Sequence, residues 1–266
     1  ASTNLSVVTG AVLAEVLGRP VGAGFPERWR HAFHQAQVTD RSTVEEPDGR
    51  RTCTSRRSGA LTFLEIEIDP DDQRAHAAQL QQTMEQIMEA STPQDLAERL
   101  VATIADLTGF DRVMCYRFDE DWHGEVIAEQ TAPGVESFDG LRFPASDIPP
   151  QARAQYERTP LRLIPDARAE PVPLLAVGAL DLTDLDLSVA RLRAVSPIHL
   201  RYLQNLGVRS SMSVSLTVSG RLWGIVACHH VTEPLRPSVT ARTVIELAAR
   251  TGAPGDLPRA RPGRDC

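Results

Sequence analysis

Two short segments hold the residues best spaced for chemistry. One is Pro144-Ala145-Ser146-Asp147-Ile148-Pro149, and the other, some fifty residues later, is Ser196-Pro197-Ile198-His199-Leu200-Arg201-Tyr202-Leu203. An Asp between two prolines has few backbone options, because Pro149 fixes its own φ and restricts Ile148 before it. Such a turn aims the Asp147 carbonyl, or its carboxylate, in one direction. His199 follows Pro197 by two residues, at the start of an expected helix, where it can face the same space. Together they offer an acceptor, a negative charge and an exchangeable proton. Other combinations are weaker. Ser196 and His199 have the types of a nucleophile and a base, but no orienting third group or oxyanion loop accompanies them. His229-His230 beside Cys228 has metal-ligand types, yet neighbours on a strand point to opposite faces. His31 and His34, three apart, read as a solvated pair on a helix.

The elements around these residues alternate between helix and strand. Ala11 to Leu17 and Glu27 to Gln37 have helical spacing, and Leu61 to Ile68 reads as a half-buried strand alternating from Phe63 except at Leu64. Residues 71–92 form an expected connecting helix with an apolar side at Leu80, Met84, Ile87 and Met88. Thr92 as cap, Pro93 at the first helical position and Asp95 in the first turn mark a helix start. Its stripe is Leu96, Leu100, Ile104 and Leu107, and Gly109 ends it. Arg112 to Phe118 and Glu125 to Glu129 are expected strands. Met212, Val214, Leu216 and Val218 alternate with Ser211, Ser213, Ser215 and Thr217, and Ser219-Gly220 turns into the apolar run Leu222 to Cys228. A final helix is expected over 238–250, with Val244, Ile245, Leu247 and Ala248 as an apolar side. The excursion over 131–207 is long enough to be functional.

The chain has 266 residues, 42% of them hydrophobic, which allows two domains. A net charge of −7 argues against a nucleic-acid surface. There is no lysine, so every fixed basic charge is arginine. No apolar run approaches the ~20 residues of a membrane span, and no signal-peptide pattern opens the chain; the expectation is a cytoplasmic protein. The four cysteines, Cys53, Cys115, Cys228 and Cys266, show no CxxC pair or metal spacing. Cys115 and Cys228 sit in apolar runs, where a thiol behaves as a small hydrophobe.

The two opening motifs resemble the pocket of bacterial phytochromes. Three more agree in order and spacing over about 93–250: Asp111 to Phe118, His123 to Glu129, and the closing hairpin Asn205 to Ser215 with Leu222 to His230. The resemblance implies an α+β fold: a GAF domain with a central antiparallel sheet and helices, preceded by a partial PAS-like α/β unit. The implied division is 1–70 PAS-like, 71–92 connecting helix, 93–251 GAF, and 252–266 a flexible tail of proline, glycine and arginine. It implies a red/far-red photoreceptor that binds a linear tetrapyrrole, biliverdin, which isomerises in light.

A protonated bilin presents N–H donors and a delocalised positive charge, with two propionates at its rim. The resemblance gives the central acceptor to the Asp147 carbonyl, its carboxylate re-pairing on isomerisation. His199 would bond a pyrrole water, His229 the outer-ring carbonyl, and Arg162 and Arg193 the propionates. Ser211 and Ser213 would add hydroxyls, and Tyr116, Phe143 and Tyr202 would wall the rotating ring. Ile148, Tyr156 and Ser196 complete the expected lining. Members of the family bond the bilin to a cysteine, either just before the pocket histidine, where this chain has Ile198, or in an arm preceding the PAS domain. The chain is expected to open inside the PAS unit, and its tail resembles that arm, which leaves two readings: a rearranged or permuted chain with Cys266 as the attachment candidate, or a truncated one with an unrelated tail and a non-covalent bilin. The resemblance further implies no catalysis, signalling to an output domain or kinase, and incomplete photoconversion with weak near-infrared fluorescence; the apolar sides of the connecting and final helices add the expectation of a homodimer through helical faces. A GAF domain binding a cyclic nucleotide or similar small molecule is the competing reading.

Overall fold

The computed structural model describes residues 27–46, 49–58, 61–68, 83, 85, 87, 89–171 and 185–251. These fall into two compact units, one made of the described residues up to 68 with 168–171 and 185–199, the other of those at 83–167 and 200–251. The expected helix at Ala11 to Leu17, the tail and Cys266 lie outside the described residues, as do Leu80, Met84 and Met88.

The first unit packs helix α1 (Glu27–Thr39) on an antiparallel sheet of β1 (Arg41–Glu46), β2 (Gly49–Ser58) and β3 (Leu61–Ile68) in that order. Ala32, Ala36, Val44 and Cys53 form a buried apolar cluster between them. The β1–β2 hairpin escaped the sequence reading because its strands, RSTVEE and GRRTCTSRRS, are mostly polar. The alternation read in β3 also carries an unexpected burial: Glu65 and Glu67 are buried, while Phe63, Leu64 and Ile66 are partly exposed. Glu65 tolerates this because the Leu192 N–H donates to it at 2.6 Å and Arg56 lies 3.9 Å away. Burial still raises its pKa above the ordinary carboxylate value, those partners opposing.

The second unit is a six-stranded antiparallel sheet in the order β6-β5-β4-β9-β8-β7. Its strands are β4 (Arg112–Phe118), β5 (Gly124–Thr131), β6 (Arg142–Phe143), β7 (Leu161–Ile164), β8 (Ser210–Val218) and β9 (Arg221–His230). Side chains alternate between its faces. Val113, Cys115, Met212, Val214, Val226 and Cys228 join one cluster with Leu100 and Ile104 of α2 (Pro93–Thr108) and Ile245 and Ala248 of α5 (Val239–Thr251). Burying each such Leu or Ile is worth about 1.5–3 kcal/mol. Thr92 caps α2 as expected, accepting from the Asp95 N–H at 3.1 Å, and Gly109 ends it at φ 70°. The 131–207 excursion contains structure of its own: β6, a 3-10 turn at Ala145–Asp147, α3 (Pro150–Arg158), β7, and α4 (Pro197–Asn205). Strands β4 and β9 meet closely at Gly224, where a Cβ would lie 2.5 Å from the Tyr116 carbonyl oxygen. No helix among the described residues is long and apolar enough to cross a membrane.

Candidate functional site

The opposite face of the six-stranded sheet carries the residues of interest. Met114, Tyr116, Phe118, Val126, Phe138, Leu222 and Ile225 are buried there, with Phe143, Ile148, Tyr156 and Leu206 packed against them. Gly124 lets the Tyr116 ring lie flat on β5: a Cβ at 124 would sit 1.6 Å from its Cζ. Phe118 and Phe143 flank that ring at centroid distances of 5.2 and 5.9 Å.

The Asp147 turn is built as its prolines dictate. Pro144 is extended at φ −69°, ψ 153°, and the Asp147 N–H donates to its carbonyl at 3.0 Å. Pro149 is extended again, and Pro150 starts α3 from the first position. Ile148 adopts φ −124° and ψ 83°, a ψ below the extended range favoured before proline. Arg153, one turn into α3, donates from Nη1 to the Ile148 carbonyl at 2.8 Å and stacks 4.5 Å over Trp122. Asp147 itself is exposed.

Hydrogen-bonding register lines the polar groups into rows across the sheet. Arg112, His229 and Ser211 form one row, and Ala227, Ser213 and Arg162 another. Ser211, Ser213 and Ser215 are 7%, 9% and 2% exposed, so the serine ladder is an interior surface and not a solvated one. The Ser215 hydroxyl donates to the Tyr156 carbonyl at 2.8 Å. Ser213 bonds the Tyr156 phenol, and Arg162 is close enough to act on it electrostatically.

Residues 92–252 match the GAF domain family. The chain is 44% identical over 183 residues to cyanobacterial phytochrome B of Nostoc sp., covering 66% of this chain and 24% of the relative. It is 41% identical over 204 residues to a bacteriophytochrome of Xanthomonas campestris, covering 74% and 32%. The chain thus spans about a quarter and a third of the length of these two relatives. Among solved structures, the chromophore-binding domain of Stigmatella aurantiaca bacteriophytochrome in the Pr state superposes with a TM-score of 0.83 at 33% identity, over 95% of this chain and 87% of that one. The chromophore-binding domain of an unusual R. palustris bacteriophytochrome gives 0.79 at 32%, over 95% and 86%. The chain belongs to the bacteriophytochrome family.

The candidate residues read from the sequence, Cys266 apart, divide between the two units. Tyr116, Phe143, Asp147, Ile148, Tyr156, Arg162, Tyr202, Ser211, Ser213 and His229 belong to the second unit; Arg193, Ser196 and His199 belong to the first. Arg193 donates to the Ala190 carbonyl at 2.6 Å, and burial lowers its pKa while the charges of Glu65 and Asp186 raise it. Ser196 and His199 are exposed, and His199 precedes Tyr202 by three residues on α4, which puts both on one helix face.

Electrostatics polarise the second unit's site. The Tyr116 phenol is pushed well above its usual range and the Tyr202 phenol upward, each by burial first and then by the Asp147 charge. Tyr156 is likewise raised by burial, with Ser213 and Arg162 opposing. The phenols thus feel charges of opposite sign: Asp147 acts on Tyr116 and Tyr202, and Arg162 on Tyr156. The sequence reading missed Arg153 and Arg112. Each is a lone arginine whose role depends on a carbonyl or ring supplied from elsewhere, and spacing carries no trace of that. Among the described residues no His, Cys, Asp and Glu group could hold a metal.

Proposed function

We propose that the chain is the light-sensing module of a bacteriophytochrome, holding biliverdin on the second unit's polar sheet face and isomerising it on illumination. The polarity of that face carries the reading. A protonated bilin has a cationic centre and anionic propionates; Asp147 supplies negative potential at the Tyr116 and Tyr202 phenols, and Arg162 positive charge beside Tyr156. The donor set fits such a group: buried serines and His229 for carbonyls and carboxylates, aromatic walls at Tyr116 and Phe143 for a conjugated ring. The bilin would supply light absorption and bond rotation; the chain's residues bind, orient and shield it.

In this proposal the Asp147 carbonyl accepts from pyrrole N–H groups, His199 and His229 bond the pyrrole water and outer-ring carbonyl, and Arg162 and Arg193 hold the propionates. Ile148, Tyr156, Ser196, Ser211 and Ser213 line the rest. The organisation is 1–70 PAS-like, 71–92 connector, 93–251 GAF and 252–266 tail. The module is cytoplasmic and sensory, not enzymatic, and passes its signal through a homodimer to an output domain. Covalent attachment needs a thiolate. Cys53, Cys115 and Cys228 are buried with raised pKa values. Cys266 is therefore the proposed attachment thiol.

Mixing the chain with biliverdin, recording the visible spectrum, then denaturing in acid with zinc tests this. A red-shifted band with protein-bound zinc fluorescence, lost in Cys266→Ser, supports the proposal in full. A band without bound fluorescence supports the pocket and removes Cys266 from it. No band contradicts bilin binding.

A further inference from the structure

Arg112 on β4 is a buried cation, 3% exposed. Its Nε and Nη2 donate to the Glu136 carbonyl at 3.0 and 2.6 Å, and its Cζ lies 3.7 Å from the Phe138 ring centroid. Glu129, 3.7 Å from Nε, supplies the counter-charge, both side chains being almost fully buried. Glu129 is fixed in turn by the Phe138 N–H at 3.0 Å and the Ser137 hydroxyl. Loop and cation thus hold each other in place.

A further Arg112 contact runs from Nη1 to Nδ1 of His229, at 3.3 Å across the β4–β9 register pair. A guanidinium has five N–H donors and no acceptor. Nδ1 must therefore accept, and a neutral imidazole that accepts at Nδ1 carries its proton on Nε2. We infer that Arg112 is a positioning residue that locks His229 in the neutral Nε2–H tautomer. The ring then offers one committed donor and no second one. This rests on the bilin reading for its ligand: the group served is the outer-ring carbonyl of the tetrapyrrole, which can only accept. The wrong tautomer would set a lone pair against that oxygen.

The test is nitrogen-15 NMR of the His229 ring in the full chain without chromophore. The expected spectrum shows an unprotonated Nδ1 and a protonated Nε2. Arg112→Met combined with Glu129→Gln removes the donor without stranding a buried carboxylate; the ring is then expected to become a mixture of tautomers. Arg112→Lys, which keeps a cationic donor, restores Nε2–H. A wild-type ring protonated at Nδ1 overturns the inference, as does a folded double variant that stays wholly Nε2–H. If the double variant does not fold, the wild-type and Arg112→Lys spectra decide. With biliverdin added, the outer-ring carbonyl stretch is expected at higher frequency in the double variant and back near wild type in Arg112→Lys. An unmoved stretch overturns the carbonyl assignment. Failure of the wild type to take up biliverdin would sink the bilin reading while leaving the tautomer result intact.

Discussion

A methyl group at position 124 would fall 1.6 Å from Cζ of Tyr116, inside the volume of the ring. The clash is with a side chain, which could swing away on an open surface. Here Phe118 and Phe143 flank it, and the residue is 5% exposed. Gly124→Ala is expected to cost about 1–3 kcal/mol, as overpacking of a filled core does. Urea denaturation measures it; a loss too small to resolve would mean that the ring is free to move. The thiols make a second test. Burial pushes Cys53 up to about 11 and Cys115 up to about 12. At about pH 8 a thiol of pKa near 11 is roughly one part in a thousand thiolate, so iodoacetamide should spare both until the chain unfolds. The folded state holds these protons more tightly than the unfolded one. Their contribution is full below about pH 8.5 and is lost as pH rises toward the folded values. Urea midpoints should fall between about pH 8 and 10.5; a flat profile would contradict the burial.

At the scale of elements, helix α2 rests on its cap. Thr92 satisfies the Asp95 N–H at 3.1 Å, a backbone donor with no partner inside the helix. Thr92→Ala is expected to cost about 1 kcal/mol, read as a lowered thermal midpoint, with Thr92→Ser close to wild type. A lowering that Thr92→Ser shares equally would place the effect outside the cap. This helix was legible because cap, proline, stripe and terminal glycine are local signals. So were β8, where period-two alternation is long, and β4 and β9, which carry apolar runs between turn signals. The β1–β2 hairpin was not, since its polar strands are stabilised by pairing and by α1 rather than by an apolar face. Helix α3 and β7 were hidden inside a segment read as a loop: α3 has no buried residue, and β7 is four residues long. The apolar side of α5, read as a surface for a second copy, is largely spent internally. Val244, Ile245 and Ala248 are 3%, 0% and 1% exposed, which leaves Leu247 at 43%.

At the scale of the molecule, the second unit's sheet separates two tasks by its faces. One is sealed by α2 and α5 over an apolar cluster; the other carries serines, a histidine, arginines and phenols. The motifs of that second face were readable because proline turns and alternating serines leave local traces. Its electrostatic gradient was not, because Asp147, Tyr116 and Tyr202 meet only through the fold. The central claim is that this polarised face holds a bilin whose isomerisation is driven by light. The most direct measurement is a difference spectrum of the biliverdin-loaded chain under alternating red and far-red illumination. The expected result is a partial, reversible loss of the red band with weak near-infrared fluorescence. A bound band that illumination leaves unchanged would contradict the account.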